Sequence, residues 1–199
     1  MKSTLRTTEW TFPLIVATVL VLAALALYGR QDTHPADHHD HEWVGATAGP
    51  SAYNQGRAPA DLWAETQRMH GHVGPWNVLG WRIGAAALRE FGTQWGLHEL
   101  DIICYVPMQT PYTCLVDGLI VSTGNSMGRL DIRLAEVMAR DLTHVAVRRK
   151  DANAPVLLFK PRPDYLAAID KPRPDDLDRL SKQCRDAPES DLFTVERIE

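Results

Sequence analysis

The sequence has few cysteines and no excess of basic residues. Three cysteines in 199 residues are too few for a scaffold held together by disulfides. The formal net charge of −4 does not suggest the basic face that a nucleic-acid-binding domain needs. The chain also lacks internal repeats, a phosphate loop, a dinucleotide fingerprint and the Ser-His-Asp order of serine hydrolases. We therefore expect neither a nucleic-acid partner nor nucleotide-dependent chemistry.

One long apolar run lies near the amino terminus. No charged residue occurs between Trp10 and Gly29, and a helix of that length covers roughly the 30 Å of a bilayer core. Two basic residues precede the run, which by the positive-inside rule places residues 1–9 in the cytoplasm. We predict a single-pass anchor over residues 10–29 in the inner membrane, with the rest of the chain on the periplasmic or extracytoplasmic side. A cleaved signal peptide is the alternative, and it also exports the domain.

The next segment, residues 30–58, predicts a linker. It is rich in Gly, Pro, Ala, Asp and His and has no apolar periodicity. Within it, residues 34–41 carry four histidines and two aspartates, which are donors that Zn²⁺, Cu²⁺ and Ni²⁺ accept. The alternative is a solvated polar spacer, because a disordered tract must order its backbone before it binds a metal.

The remaining residues, 59–199, predict one α+β domain. Helices are expected at 61–68, 75–91, 114–122 and 175–184, with Asp61 as a cap and Pro75 in a first turn. Strands are expected at 100–106, 130–134, 144–149, 156–159 and 192–198. The irregular order of strands and helices favours α+β over a doubly wound fold.

Two glycines, Gly80 and Gly84, lie four residues apart inside the second predicted helix. Each costs about 1 kcal/mol relative to alanine in a helix interior. Close approach of another backbone or of a ligand is the usual compensation, and we expect one of these here.

The motif His70-Gly-His72 directly precedes the helix that begins at Pro75. A helix amino terminus presents free N–H groups and partial positive charge, which favour neutral imidazole, the form that ligates metals. Taken alone, the motif also fits two surface or capping histidines.

Two blocks of the sequence resemble a known family. The stretch from His70 to Arg82 is similar to the opening signature of the FmdE-like domains of formylmethanofuran dehydrogenase. In that signature His-Gly-His is followed, after one residue, by Cys-Pro-Gly and then by a glycine and an arginine on a helix. A second block, Cys114 to Gly128, is similar to the family's Cys-x-x-Asp and Thr-Gly-Cys-Thr-x-Gly. With a closing strand near residue 193, the resemblance spans about residues 61–199.

The resemblance implies a mixed sheet covered by helices, with a pocket where the His-Gly-His turn meets the Cys114 helix. It also implies a bound divalent metal there, commonly zinc. The site residues it implies are the metal ligands His70, His72 and Cys114, the catalytic or ligand-orienting Asp117, and the pocket-lining Thr123 and Gly124. Spacing does not decide whether Tyr112, Gln109 or His98 also contributes.

This chain departs from the family pattern at two cysteines. The first-block cysteine is Gly74 here, and the Thr-Gly-Cys cysteine is Asn125. Loss of two thiols shifts a site towards nitrogen and oxygen donors. Three protein ligands and a water fit an open zinc site, whereas a vestigial site without metal is the alternative.

The remaining cysteines have a competing interpretation. In an oxidising compartment, Cys104 and Cys114 are close enough in sequence to form a disulfide, which would remove Cys114 as a thiolate ligand. Cys184 lies on a charged predicted helix and is expected to be an incidental, partly buried thiol.

Three functions are consistent with these features. The first is a membrane-anchored metal-binding domain with a small-molecule pocket, linked to one-carbon (formyl or pterin) metabolism by the resemblance alone. The second is a non-catalytic, exported metal carrier or assembly module for a membrane-protein partner. The third is a degenerate scaffold without a ligand. The sequence does not decide whether the protein is an enzyme.

Overall fold

The computed structural model describes residues 56–151 and 153–198. The predicted anchor at 10–29 and the histidine-rich part of the predicted linker lie outside the described residues, so both stay predictions. No helix within the described ranges is long and apolar enough to cross a membrane.

The described residues form helices and a single mixed sheet. The helices are α1 Leu62–His70, α2 Pro75–Glu90, α3 Cys114–Thr123, α4 Pro163–Ala168, α5 Leu177–Asp186 and α6 Glu189–Leu192. The strands are β1 Leu100–Val106, β2 Ile132–Glu136, β3 His144–Arg149, β4 Val156–Pro161 and β5 Phe193–Ile198. The strand order is β2-β1-β3-β4-β5. β1 and β2 are parallel and the other three pairs are antiparallel, which confirms an α+β fold with a mixed sheet.

Helix α3 connects the two parallel strands. A parallel pair needs a crossover connection, and α3 supplies it between β1 and β2. The first turn of α3 therefore lies near the carboxyl ends of these strands. Its last turn lies near their amino ends, where Gly124 stops the helix with a left-handed φ of 74°.

Helices α2 and α3 pack backbone to backbone, as the glycine spacing predicts. A Cβ on Gly118 would lie 1.9 Å from the carbonyl oxygen of Asn77, and one on Gly80 would lie 2.3 Å from that of Leu115. Further along, a Cβ on Gly84 would lie 2.0 Å from Oγ of Ser122. Asn77 near the start of α2 contacts the Cys114 carbonyl at the start of α3, and Gly84 contacts Ser122 near its end, so the amino ends of the two helices lie side by side.

The main core fills the space between these helices and one face of the sheet. Leu79, Ile83 and Leu119 from the helices and Ile102 and Phe159 from the strands have no exposed surface. Burial of these apolar side chains is the main force that holds α2 and α3 against the sheet.

All three cysteines are free thiols in this structure, so the disulfide alternative is not found. Cys104 lies in β1 with no exposed surface, and burial raises the pKa of its thiol. Cys184 is fully buried rather than partly exposed as expected.

Candidate functional site

The His-Gly-His turn is built by the end of α1 and the start of α2. His70 is the last residue of α1, and Gly71 ends that helix with a φ of 91°, a conformation that glycine adopts without a steric penalty. The chain then reverses into α2, which begins at Pro75 after the N-cap Gly74. This turn brings the ring centroids of His70 and His72 to 4.7 Å from each other.

Asn77 fixes the amino ends of α2 and α3 together. Its Oδ1 accepts a hydrogen bond of 2.9 Å from the Gly74 amide, and its Nδ2 donates one of 3.0 Å to the carbonyl of Cys114. Asn77 has no exposed surface. Sequence reasoning missed this residue, although an amide side chain three positions after an N-cap is a recognisable capping signal.

His70 is held by a carboxylate from the neighbouring helix. Its Nδ1 lies 2.6 Å from Oδ2 of Asp117, which projects from the first turn of α3. In the neutral tautomer whose Nδ1 donates to this carboxylate, Nε2 keeps a free lone pair. That Nε2 is buried and has no hydrogen-bond partner among the described residues. A carboxylate on one ring nitrogen and a lone pair on the other is the usual arrangement of a metal-ligating histidine.

The surroundings set the protonation of the other two candidate ligands. Burial, and secondarily the neighbouring His70, lower the pKa of His72, which favours the neutral imidazole that a metal needs. Burial, and secondarily the Asp117 carboxylate, raise the pKa of the Cys114 thiol. Without a cation, Cys114 therefore stays protonated, whereas a bound metal ion would deprotonate it.

The described residues contain no group of three or more His, Cys, Asp or Glu side chains that could hold a metal ion. The structure brings His70, His72 and Asp117 together, and it places Cys114 close enough to Asp117 for its pKa to respond. The three-ligand set His70, His72 and Cys114 thus stays a prediction.

The family's first cysteine position faces the same space. A Cβ added to Gly74 would lie 3.8 Å from Nε2 of His72 and 3.4 Å from Oδ1 of Asn77. Gly74 has an extended backbone with φ of −115°, which any residue adopts. The backbone at this position therefore accepts a side chain, and its Cβ would lie in ordinary van der Waals contact with His72.

Tyr112 lies two residues before α3, but its hydroxyl is already engaged. It donates a hydrogen bond of 2.7 Å to Oδ1 of Asp170, and its ring packs edge-on against Trp76 at 5.2 Å. Arg140 pairs with the other oxygen of Asp170 at 3.3 Å. Tyr112 thus belongs, with Asp170 and Arg140, to a group of paired polar side chains near the start of α3.

The structure does not bring Thr123 and Gly124 to the His70–Asp117 pair. They end the helix that Cys114 begins, which at 1.5 Å per residue puts them about 9–10 Å from Asp117 along its axis. Oγ1 of Thr123 donates a hydrogen bond of 2.7 Å to the carbonyl of Leu119. A Cβ on Gly124 would lie 2.8 Å from the Gly96 amide nitrogen. Both residues shape the far end of α3 rather than a pocket at its start.

A second histidine–aspartate pair lies at that far end. His98 Nδ1 is 2.8 Å from Oδ2 of Asp131, a residue with no exposed surface. The ammonium of Lys150, whose side chain is 3% exposed, lies 3.8 Å from the same carboxylate oxygen, and Arg129 lies 3.7 Å from it. Sequence reasoning weighed His98 but missed its partners, because they are scattered along the chain without a motif.

A comparison with known protein families identifies the family of this domain. A family model described as FmdE, molybdenum formylmethanofuran dehydrogenase operon, matches residues 69–194. The chain belongs to the FmdE family. The match begins at the His-Gly-His turn and ends within β5, so the family region contains both helix amino ends of the candidate site. No curated protein matches the chain.

Proposed function

We propose that this FmdE domain binds a divalent metal ion, most simply zinc, at the turn between α1 and α2. The observation that carries the proposal is the buried Nε2 of His70, which has no partner within the described part of the chain while Asp117 contacts Nδ1. A buried polar atom without a partner costs about 1–3 kcal/mol, so a ligand at this position relieves a penalty that is already present.

The residues at this turn fit such an ion. His70 and His72 would provide imidazole nitrogens, Cys114 a thiolate, and Asp117 would hold the His70 ring in one tautomer. A bound zinc ion supplies Lewis acidity towards a carbonyl oxygen and acidifies a bound water. The amino ends of α2 and α3 both lie at this region, and their partial positive charge favours an anionic ligand.

The family description supplies the chemical context for the proposal. It refers to formylmethanofuran dehydrogenase, and we propose a role in one-carbon metabolism that involves a formyl-type or pterin-type small molecule. Asp117 is the group we assign to proton transfer in that case, because its carboxylate is partly exposed beside His70.

A non-catalytic metal carrier is the second candidate. The incomplete donor set of the described residues and the glycine at the family's first cysteine position favour it. In this version the predicted anchor at residues 10–29 holds the domain at the membrane, where it delivers metal to a membrane-protein partner.

Elemental analysis of the purified full chain tests the shared part of both candidates. We expect stoichiometric zinc in the wild-type protein and in His98→Ala, and its loss in His70→Ala/His72→Ala. His98→Ala is the matched control because it removes the histidine of the other His–Asp pair. Metal retained in the double variant would exclude this site, and turnover of formyl-type substrates by the loaded protein would separate enzyme from carrier.

A further inference from the structure

We propose that Asn77 is a positioning residue for the metal site at His70 and His72. Its buried side-chain amide holds the histidine turn and the start of α3 at the separation that one shared ion needs. The inference rests on the proposed function, and it assigns Asn77 no contact with the ion itself.

A shared ion requires an accurate separation between the two segments that supply its ligands. Zinc lies about 2.0–2.1 Å from a histidine nitrogen and about 2.3 Å from a cysteine sulfur. His72 belongs to the turn before α2, whereas Cys114 is the first residue of α3. A relative shift of these segments by more than about 0.2 Å must therefore be absorbed by the side chains or lengthens a metal–ligand bond.

The side chain of Asn77 bonds to the backbone of both segments. Its Oδ1 accepts a hydrogen bond of 2.9 Å from the amide of Gly74, and its Nδ2 donates one of 3.0 Å to the carbonyl of Cys114. Because the first partner is a donor and the second an acceptor, a single orientation of the amide satisfies both. Two directed bonds thus connect the end of the histidine turn with the residue that would supply the thiolate.

Burial and close backbone packing make both bonds specific to this side chain. Asn77 has no exposed surface, so loss of its amide leaves the Gly74 N–H and the Cys114 carbonyl without this partner in the interior. A Cβ on Gly118, about one turn beyond Cys114, would lie 1.9 Å from the carbonyl oxygen of Asn77. The main chain of Asn77 therefore touches α3 at the same level at which its side chain bonds to it.

A second buried asparagine provides a matched comparison. Asn125 is 2% exposed, and its Nδ2 donates hydrogen bonds of 2.8 and 2.9 Å to the carbonyls of Leu100 and Asp131. It follows the carboxyl end of α3, whereas Cys114 begins that helix. Its amide therefore joins β1 to the segment before β2 at the end of α3 opposite to the proposed metal site. We expect Asn125 to contribute to stability and Asn77 to contribute to both stability and metal binding.

Zinc and cobalt titrations of the full chain in detergent test the inference, with Asn77→Ala as the variant and Asn125→Ala as the control. We expect Asn77→Ala to bind zinc about 10–100-fold more weakly in chelator competition, which is the usual loss when a group that orients a ligand is removed. Its visible Co²⁺ spectrum, which reports the geometry of the ligands, should also change. We expect Asn125→Ala to lose stability in urea unfolding and to retain both the affinity and the spectrum of the wild type.

The outcomes separate this inference from the proposed function. Wild-type affinity and an unchanged Co²⁺ spectrum in Asn77→Ala overturn the role of Asn77 while the metal site at His70 stands. An equal loss of affinity in both variants also overturns that role, because the effect then follows stability rather than position. A wild-type chain that binds no metal overturns the proposed function and the inference together.

A zinc titration of the wild-type chain followed by NMR keeps the inference testable if Asn77→Ala does not fold. The side-chain amides of Asn77 and Asn125 give separate signals in a ¹H–¹⁵N spectrum. We expect bound zinc to shift the Asn77 signals, because the ion draws on the segment to which this amide bonds, and to leave the Asn125 signals in place. Asn77 signals that do not move when zinc binds overturn the inference.

Discussion

Two histidine–aspartate pairs lie at opposite ends of the parallel strands β1 and β2, and their inner geometry is nearly the same. His70 Nδ1 is 2.6 Å from Asp117 Oδ2, and His98 Nδ1 is 2.8 Å from Asp131 Oδ2. Each carboxylate comes from a residue at or near the α3 crossover, Asp117 in its first turn and Asp131 just before β2. The difference between the pairs lies in what surrounds the carboxylate.

The carboxylate of Asp131 is fully buried. It accepts a 2.6 Å hydrogen bond from the Ser126 amide and faces the cations of Lys150 and Arg129. The carboxylate of Asp117 is 33% exposed, and His70 is its one ion-pair partner among the described residues. The two pairs therefore differ in what compensates the carboxylate, which is a set of cations in the interior for Asp131 and partial exposure to solvent for Asp117.

The largest expected difference between the two pairs is the loss of stability when each carboxylate is removed. Asp131→Ala removes a buried carboxylate that faces the ammonium of Lys150 and the ring of His98, and we expect a loss of about 3–5 kcal/mol in the free energy of unfolding. Asp117→Ala breaks a pair that is partly exposed to solvent, and we expect a loss below about 1 kcal/mol. Urea unfolding of both variants measures the contrast, and equal losses would contradict the structural role of Asp131.

For metal affinity we expect the opposite order, with a large loss at Asp117 and none at Asp131. Asp117→Asn removes the charge that orients His70, and loss of such a partner weakens metal binding about 10–100-fold, or roughly 1.4–2.7 kcal/mol. Asp131→Asn, the matched change at the other pair, should leave the affinity unchanged. Competition with a zinc chelator measures both variants. A similar fall in the two would mean that the effect arises from general destabilisation.

Much of the fold follows from local sequence signals. The N-cap Asp61 and the helix start at Pro75 lie where the structure has them. The predicted strands at 100–106 and 144–149 have the observed bounds. These elements carry strong local signals, namely a capping side chain, a fixed proline φ or a clear alternation of apolar residues.

Elements with weak local signals were misplaced or missed. β2 begins at Ile132 rather than at residue 130, because Leu130 adopts a left-handed φ of 57° that closes a short turn. The short helix α4 begins at Pro163 inside a proline-rich stretch that composition favours as a loop. Its stability depends on the burial of Leu166 in the core, a tertiary contact that no local pattern reveals.

The candidate site was predictable in part for the same reason. The two motif blocks identify His70 and Asp117, and the structure joins them although they lie 47 residues apart. Thr123 and Gly124 belong to the second block as well, but they lie at the other end of the helix whose first turn carries Asp117, six and seven residues further along its axis. The role of Asn77 and the cations around Asp131 depend on packing, which the order of residues does not show.

The smallest expected effect is a pH dependence of stability that arises from Lys150, which lies beside the buried His98–Asp131 pair. Burial is the largest influence on Lys150 and lowers its pKa below the ordinary 10.5, although Asp131 and Asp101 partly oppose the shift. The folded chain therefore releases this proton at a lower pH than the unfolded chain. Between the two pKa values the unfolded state binds more protons, so this group raises stability as the pH increases.

Lys150→Met removes the titrating group, so we expect the wild type to gain stability relative to this variant as the pH rises towards 10.5. Urea unfolding at a series of alkaline pH values measures the difference between the two curves. Tyrosines that titrate in the same range are present in both proteins and cancel in that difference. If the curves stay parallel, the attraction of Asp131 offsets the burial of Lys150, and the second histidine–aspartate pair holds a fully charged lysine. In Asp117→Ala, where the change lies at the exposed pair, the alkaline slope should remain that of the wild type.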